Sequence, residues 1–432
     1  MCSVLFPRWL APLDEPRNPQ APNFTYPLDA IVFQALLMFL GRLGARRQIE
    51  FLLRTEAAAK TFGAVFGVSK VAHGDTVNDV LCAVDPAQMQ EVVSSMTETL
   101  IRNKTLYSQR LLGAYFCIAI DGTGTVSYRE RHCEHCLTRT HNEKTTYYHN
   151  VLEAKLVTPN GFALSIMSEF IENADPDASK QDCELKAFYR LAPRLKQRFP
   201  KLAFVLLLDG LFAGGPVFEM CRRNAWKFIV NLKDDCLPSV NEEFRTLRAL
   251  NPGDRLSVST GAGETIRQQL SWANDIDYID TKKQPHTLSV FECRETKPAQ
   301  NGQDKTITFR WVTNFTVKNT NVAPLANQGG RLRWKIENEG FNTQKTGGYG
   351  LEHAYTKDEQ GMKVYYFILQ MACIIQQLID KGSLLRKAFP KGFGSAKNLA
   401  RRLLEDWRNR PISPEDYRNL CQSKIQIRFD TS

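Results

Sequence analysis

Three acidic residues carry the chemistry that the sequence suggests most strongly. Two apolar runs, Tyr115-Phe116-Cys117-Ile118-Ala119-Ile120 and Leu202 to Leu208, each end in an Asp-Gly pair, at Asp121-Gly122 and Asp209-Gly210. Runs this apolar read as buried strands. In an open α/β sheet, ligands gather at the carboxyl ends of such strands. Two carboxylates there suit Mg²⁺ or Mn²⁺, which prefer oxygen ligands. Two such ions about 3.5–4 Å apart stabilise both the attacking and the leaving oxygen of a phosphoryl transfer. An Asp-Gly after a strand is also ordinary turn chemistry, so the coincidence of two such sites carries the reading. A third acid comes from Arg331-Leu-Arg333-Trp-Lys335-Ile-Glu337-Asn-Glu339-Gly340-Phe341. On a helix, Arg333 and Glu337 stand one turn apart on one face. Glu337 and Glu339 diverge by about 200°, so one of them joins the pair. Arg333 one turn earlier, with Ile336 and Phe341 as apolar flanks, favours Glu337.

A second constellation is His132-Cys133-Glu134-His135-Cys136, followed by His141 and His149. Cys-x2-Cys followed by His is zinc-like spacing. Cys133, Cys136, His141 and His149 are the expected zinc ligands, with His132 or His135 as alternatives for the last place. The plainer alternative is a polar hairpin holding two free thiols. Arg129, Arg131, Arg139 and Lys144 around it would suit a DNA contact.

These groups need a scaffold. Residues 1–25 are Pro-rich and read as an extended arm. Residues 27–105 look helical, with Asp75 or Thr76 as cap of a helix over 77–84 and a second helix over 85–102. We therefore expect a helical N-terminal, DNA-binding domain over 1–105. Strands follow at 115–120, 151–157 and 162–170, the last two joined by Thr158-Pro159-Asn160-Gly161. A helix over 179–199, capped by Ser179, should kink or stop early at Pro193. The strand at 202–208, a helix over 216–225 and a strand at 227–232 complete an α/β order with a mixed sheet. The expected core thus runs over 106–233 and resumes over 331–380, interrupted by a β-rich insertion at 234–330 with strands near 256–260, 265–272, 288–293 and 306–312. Helices over 331–345, 362–379 and 396–409 close the chain.

The 432 residues carry a net charge of +10 and a pI of about 9.0. Lys381 to Arg410 alone holds nine Lys or Arg against Glu405 and Asp406, most of the whole-chain excess. A patch this concentrated fits a nucleic-acid footprint in a basic C-terminal segment, 381–432. Arg401, Arg402 and Arg408 lie off the apolar side of their helix. Eleven cysteines without a signal-like N-terminus point to reduced thiols in a cytoplasm. The apolar stretches at 30–43 and 364–379 are too short or too polar for membrane spans and read as buried helices.

The segment Arg333-Trp334-Lys335-Ile336-Glu337 resembles the signature helix of DDE-superfamily insertion-sequence transposases, in which Tyr, Arg, Glu and Lys are separated by two, three and six residues. Arg333 and Glu337 match it. The Tyr position falls on Gly330 and the Lys position on Gln344, with Lys345 beside it. The order of Asp-Gly-Thr, second Asp, β-rich insertion and Glu helix is also similar to that family. The resemblance implies a ribonuclease H-like α/β core and Mg²⁺- or Mn²⁺-dependent cleavage and strand transfer at transposon ends. It also implies double-stranded DNA as partner, contacted by Arg333, Lys345, Arg401, Arg402 and Arg408, and a homodimer in a bacterial-type, nucleoid-associated setting. Two other readings are a nuclease of the same fold without strand transfer and a non-catalytic, zinc-containing DNA-binding protein.

Overall fold

The computed structural model describes residues 9–10, 13–174, 181–261, 265–298, 304–383, 385, 389–422 and 429. The chain opens with a helical layer: α1 (Leu28–Leu40), α2 (Gln48–Leu52), α3 (Glu56–Phe66), α4 (Gly74–Cys82) and α5 (Pro86–Arg102). Thr55 and Asp85 cap α3 and α5 through their side-chain oxygens, as helix starts favour. The cap of α4 is His73, whose ring accepts the Asp75 N–H, so this helix starts three residues before the expected Val77.

Ten strands follow among the described residues: β1 (Phe116–Tyr128), β2 (Leu137–His141), β3 (Lys144–Val157), β4 (Ala163–Ile171), β5 (Phe204–Leu208), β6 (Lys227–Asn231), β7 (Arg255–Thr260), β8 (Ile266–Ile279), β9 (Pro285–Pro298) and β10 (Asp304–Thr313). They build one mixed sheet in the order β2-β3-β1-β5-β6-β10-β9-β8-β7, with β4 on the same edge of β3 as β2. β1, β5 and β6 are parallel neighbours, while β3 runs antiparallel to β1. Helix α6 (Glu184–Arg198) joins β4 to β5, α7 (Gly215–Arg223) joins β5 to β6, and α8 (Pro238–Leu250) leads into β7. The β-rich insertion is not a separate sheet, because β10 pairs directly with β6.

Two expectations are corrected. β1 does not stop at Asp121 but continues to Tyr128, because β3 supplies a ladder along its whole length. Helix α6 runs through Pro193 to Arg198. Pro193 is exposed, so the carbonyl that it leaves unbonded lies on the solvent side of the helix. The expected cap Ser179 lies outside the described residues, as does part of the 1–25 arm.

After β10 come α9 (Val322–Asn327), a 3₁₀ turn at Gly330–Arg333, a π-helical segment at Ile336–Asn342 and α10 (Thr343–Thr346). The chain ends with α11 (Glu359–Lys381), α12 (Ala396–Asn409) and α13 (Pro414–Gln422). The period-2 alternation of β1 separates two packing faces. Phe116, Ile118 and Ile120 join a core shared with α1, α5, α6 and α11. Cys117 and Ala119 face the other way and pack with Leu332, Ile336 and Phe341. Burying Ile336 and Phe341 there contributes roughly 1.5–3 kcal/mol each and seats the acid-bearing segment on the sheet. The N-terminal helices thus share one core with the sheet rather than forming a detached lobe. Among the described residues, α11 is the one helix long and apolar enough to cross a membrane, and most of it is buried inside the protein.

Candidate active site

β1 and β5 pair in parallel register from Phe116 opposite Phe204 to Ala119 opposite Leu207. Two residues further along each strand, that register brings Asp121 level with Asp209. Parallel neighbours lie about 4.8 Å apart, so the two acids share one sheet edge. Asp209 ends β5 and caps the following 3₁₀ turn, accepting the Leu211 N–H at 2.9 Å. Asp121 accepts the Gly122 N–H at 3.0 Å.

The third acid arrives from the segment packed over this face. Arg333 is 7% exposed, and its guanidinium forks between two carboxylates. Nη1 donates to Asp121 Oδ2 at 2.9 Å and Nη2 donates to Glu337 Oε1 at 3.0 Å. A planar guanidinium can hold two carboxylates in fixed relation where an ammonium cannot. Burial pushes the Asp121 carboxyl up to about 7, helped by the charges of Glu337, Asp209 and Glu184, and the pull of Arg333 does not offset this.

Glu184 carries no sequence signal of its own and joins the site only in the fold. It opens α6, and its carboxylate lies against Gly122, where a Cβ would overlap it. Burial and the charge of Asp209 raise its proton affinity. Four carboxylates from four separate elements therefore lie within electrostatic reach of one another, and Arg333 pairs with two of them, Asp121 and Glu337.

Glu339 leaves the same segment on another side. Lys335 Nζ holds its Oε1 at 2.6 Å, and it lines a cavity with Gly161, Tyr349 and Lys381. The π-helical winding widens this turn, a distortion that recurs at functional sites. Beneath it, the buried Lys155 donates to Glu153 at 2.8 Å and to Gln370 at 3.0 Å, and its stem touches Gly340. At Gly330, the family's Tyr position, a Cβ would stand 2.5 Å from the Trp311 ring, so no larger side chain fits. Gln344, at the Lys position, is buried against Gln370. Lys345 pairs with Glu352 at 2.8 Å.

The His/Cys group also assembles, with one member exchanged. His132, Cys133, Cys136 and His149 offer ligand atoms that all lie within 4.8 Å of one another, an arrangement able to hold a metal ion. His141 is exposed at the far end of β2, where the strand carries it away from the two thiols. His135 instead bonds the Asn173 carbonyl through Nδ1 at 2.7 Å.

Helix α12 turns its apolar side to the N-terminal layer: Trp407 packs on Phe33 and Phe62 and donates to the Leu53 carbonyl. Arg401, Arg402 and Arg408 are exposed, with Arg402 over the Phe389 ring. Arg386 and Lys387 of the basic patch lie outside the described residues. No protein family matches the chain in a comparison with known families, and a comparison with curated proteins finds no relative.

Proposed function

We propose that this protein is a DDE-type DNA transposase acting on double-stranded DNA, with Asp121, Asp209 and Glu337 as its acids. The observation that carries the reading is the meeting, at one sheet edge, of three acids that the chain supplies in the family's order, with a β-rich insertion between the second and third. The order β4-β3-β1-β5-β6, with β3 alone reversed among β3, β1, β5 and β6, supports a ribonuclease H-like core. Asp121, Asp209 and Glu337 would hold Mg²⁺ or Mn²⁺, with Glu184 alongside. Cations held there would polarise a scissile phosphate and lower the pKa of an attacking water or 3′-hydroxyl. The protein's own residues do the positioning. Arg333 keeps Glu337 turned toward Asp121, and the packed Ile336 and Phe341 fix the segment that bears it. Arg401, Arg402, Arg408 and the basic tail would follow the DNA backbone, and two copies would pair the two ends.

The departures at Gly330 and Gln344 favour a second reading, a nuclease of the same fold that cuts without joining. The test is incubation of the protein and Mg²⁺ with DNA carrying the inverted repeats expected outside the gene. Cleavage at the repeats with joining to a target plasmid is the expected result. Cleavage without joining would select the second reading, and binding without any metal-dependent cleavage would overturn both.

A further inference from the structure

The acids leave a second cluster unexplained. β1 ends at Tyr128 and β2 starts at Leu137, and the connection between them contains His132, Cys133 and Cys136. His149 comes from β3, opposite Val126, just past a register shift in the β1–β3 ladder. Cys136 and His149 are almost wholly buried. His132 Nδ1 lies 3.1 Å from Cys136 Sγ, the two sulfurs are 3.4 Å apart, and His149 Nε2 is 3.3 Å from Cys133 Sγ and 3.4 Å from Cys136 Sγ.

Four of the six separations among these atoms are thus 3.1–3.4 Å, and all six are within 4.8 Å. Zn–S near 2.3 Å and Zn–N near 2.0–2.1 Å imply ligand separations of about 3.3–3.8 Å in a tetrahedral site. The four short separations fall at or just below that range. The sulfur separation is far longer than the ~2.05 Å of a disulfide. Two thiolates and two neutral imidazoles suit a borderline-soft ion and disfavour Mg²⁺. With both sulfurs ionised, a divalent cation makes the centre neutral, which removes the cost of burying net charge. The surrounding backbone already fixes the ligand loop. The Asn173 N–H donates to the His135 carbonyl at 3.2 Å, and Asn173 Nδ2 donates to the Cys136 carbonyl at 3.1 Å.

We propose that His132, Cys133, Cys136 and His149 form a structural zinc site that fastens the β1–β2 connection to β3. All four positions are taken by protein atoms, so the site is closed and has no open coordination place for a substrate. The inference is independent of the reading of the acids, since it uses none of them.

The test uses the full-length protein purified under reducing conditions without chelator. Metal analysis should give one zinc per chain, retained in His141→Ala and lost in His132→Ala and Cys133→Ser. The wild-type protein refolded with Co²⁺ needs no variant to stay folded. It should show the intense visible ligand-field bands of a tetrahedral centre and sulfur-to-cobalt charge transfer from two thiolates. Absence of zinc together with no such spectrum would overturn the proposal. Equal loss of zinc in His141→Ala and His132→Ala would overturn the ligand set.

Discussion

The acid cluster, which takes Asp121 from β1, and the His/Cys cluster, which takes His149 from β3 and its other atoms from the connection after β1, are built on opposite principles. The acids come from four elements spread from Asp121 to Glu337, whereas the His/Cys atoms come from one hairpin. The acids are hard, crowded and short of cation, which is why Asp121 is pushed up to about 7 by burial and neighbouring charge. The His/Cys ligands are soft and reach neutrality with one divalent ion. On the proposed readings, a centre left hungry for charge would bind catalytic cations reversibly, and a closed neutral one would hold its ion permanently.

The largest effect should follow from removing a shared acid. Asp121→Asn or Asp209→Asn should lower metal-dependent DNA cleavage by roughly a hundredfold to a thousandfold or more, with DNA binding retained in a gel-shift assay. Cleavage within tenfold of wild type in either variant would remove the acids from the chemistry.

Arg333 comes next. Arg333→Ala leaves Asp121 and Glu337 facing each other with their cation gone, and removing one partner from a buried pair costs about 3–5 kcal/mol. Calorimetry should show a lower Tm that Mg²⁺ restores more strongly than it shifts the wild type. Equal Mg²⁺ shifts in both proteins would mean that the guanidinium does not share the cation's place.

Cys136→Ser should act on stability instead. A loss of about 2 kcal/mol would lower Tm by roughly 2 °C in a chain of this length. Cleavage per folded molecule should stay near wild type, in contrast to the acid variants.

Proton linkage gives a smaller and more specific contrast. The Asp121 carboxyl is raised from 3.8 to about 7, so the folded protein holds a proton there that the unfolded chain has released. Between those values, rising pH therefore lowers the stability of the metal-free protein through this group. Mg²⁺ must displace the same proton, so its affinity should rise with pH up to about 7, by at most tenfold per unit. Titration calorimetry in buffers of different ionisation enthalpy should detect the released proton at pH 6, and none in Asp121→Asn.

The spacing of Cys133 and Cys136 was legible because both ligands lie in one short loop. Even so, the structure places His132, not His141, beside the thiols, since spacing does not reveal that β2 carries His141 outward while the His132 ring folds back. Asp121 and Asp209 were legible because each follows an apolar run that reads as a buried parallel strand. Glu184 was not, because only the approach of α6 to the side-chain-free Gly122 brings it in, and no local pattern marks that approach. The π-helical turn was hidden too: the expected α-helix separates Glu337 from Glu339 just as well, and nothing in the spacing marks Gly340, where a Cβ would lie 3.0 Å from Lys155 Cε. Helix α8 was missed although Val240, Asn241 and Phe244 form its buried stripe, because the charged residues around them obscured the period.

The smallest expected effect concerns the basic helix α12. Neutralising Arg401, Arg402 and Arg408 should weaken DNA binding for all sequences and reduce the salt slope by about 0.9 for each phosphate no longer neutralised. An unchanged slope would place the DNA elsewhere on the surface.

The central claim of the proposed function is that Glu337, and not its neighbour Glu339, completes the set of acids that would hold the metal. The direct measurement is Mn²⁺-dependent nicking of supercoiled plasmid by Glu337→Gln and Glu339→Gln, two nearly isosteric changes that each remove one charge. Glu337 is held toward Asp121 through Arg333, while Glu339 is tied to Lys335 on another side. Nicking should vanish in Glu337→Gln and survive in Glu339→Gln; survival in the first with loss in the second would contradict the account.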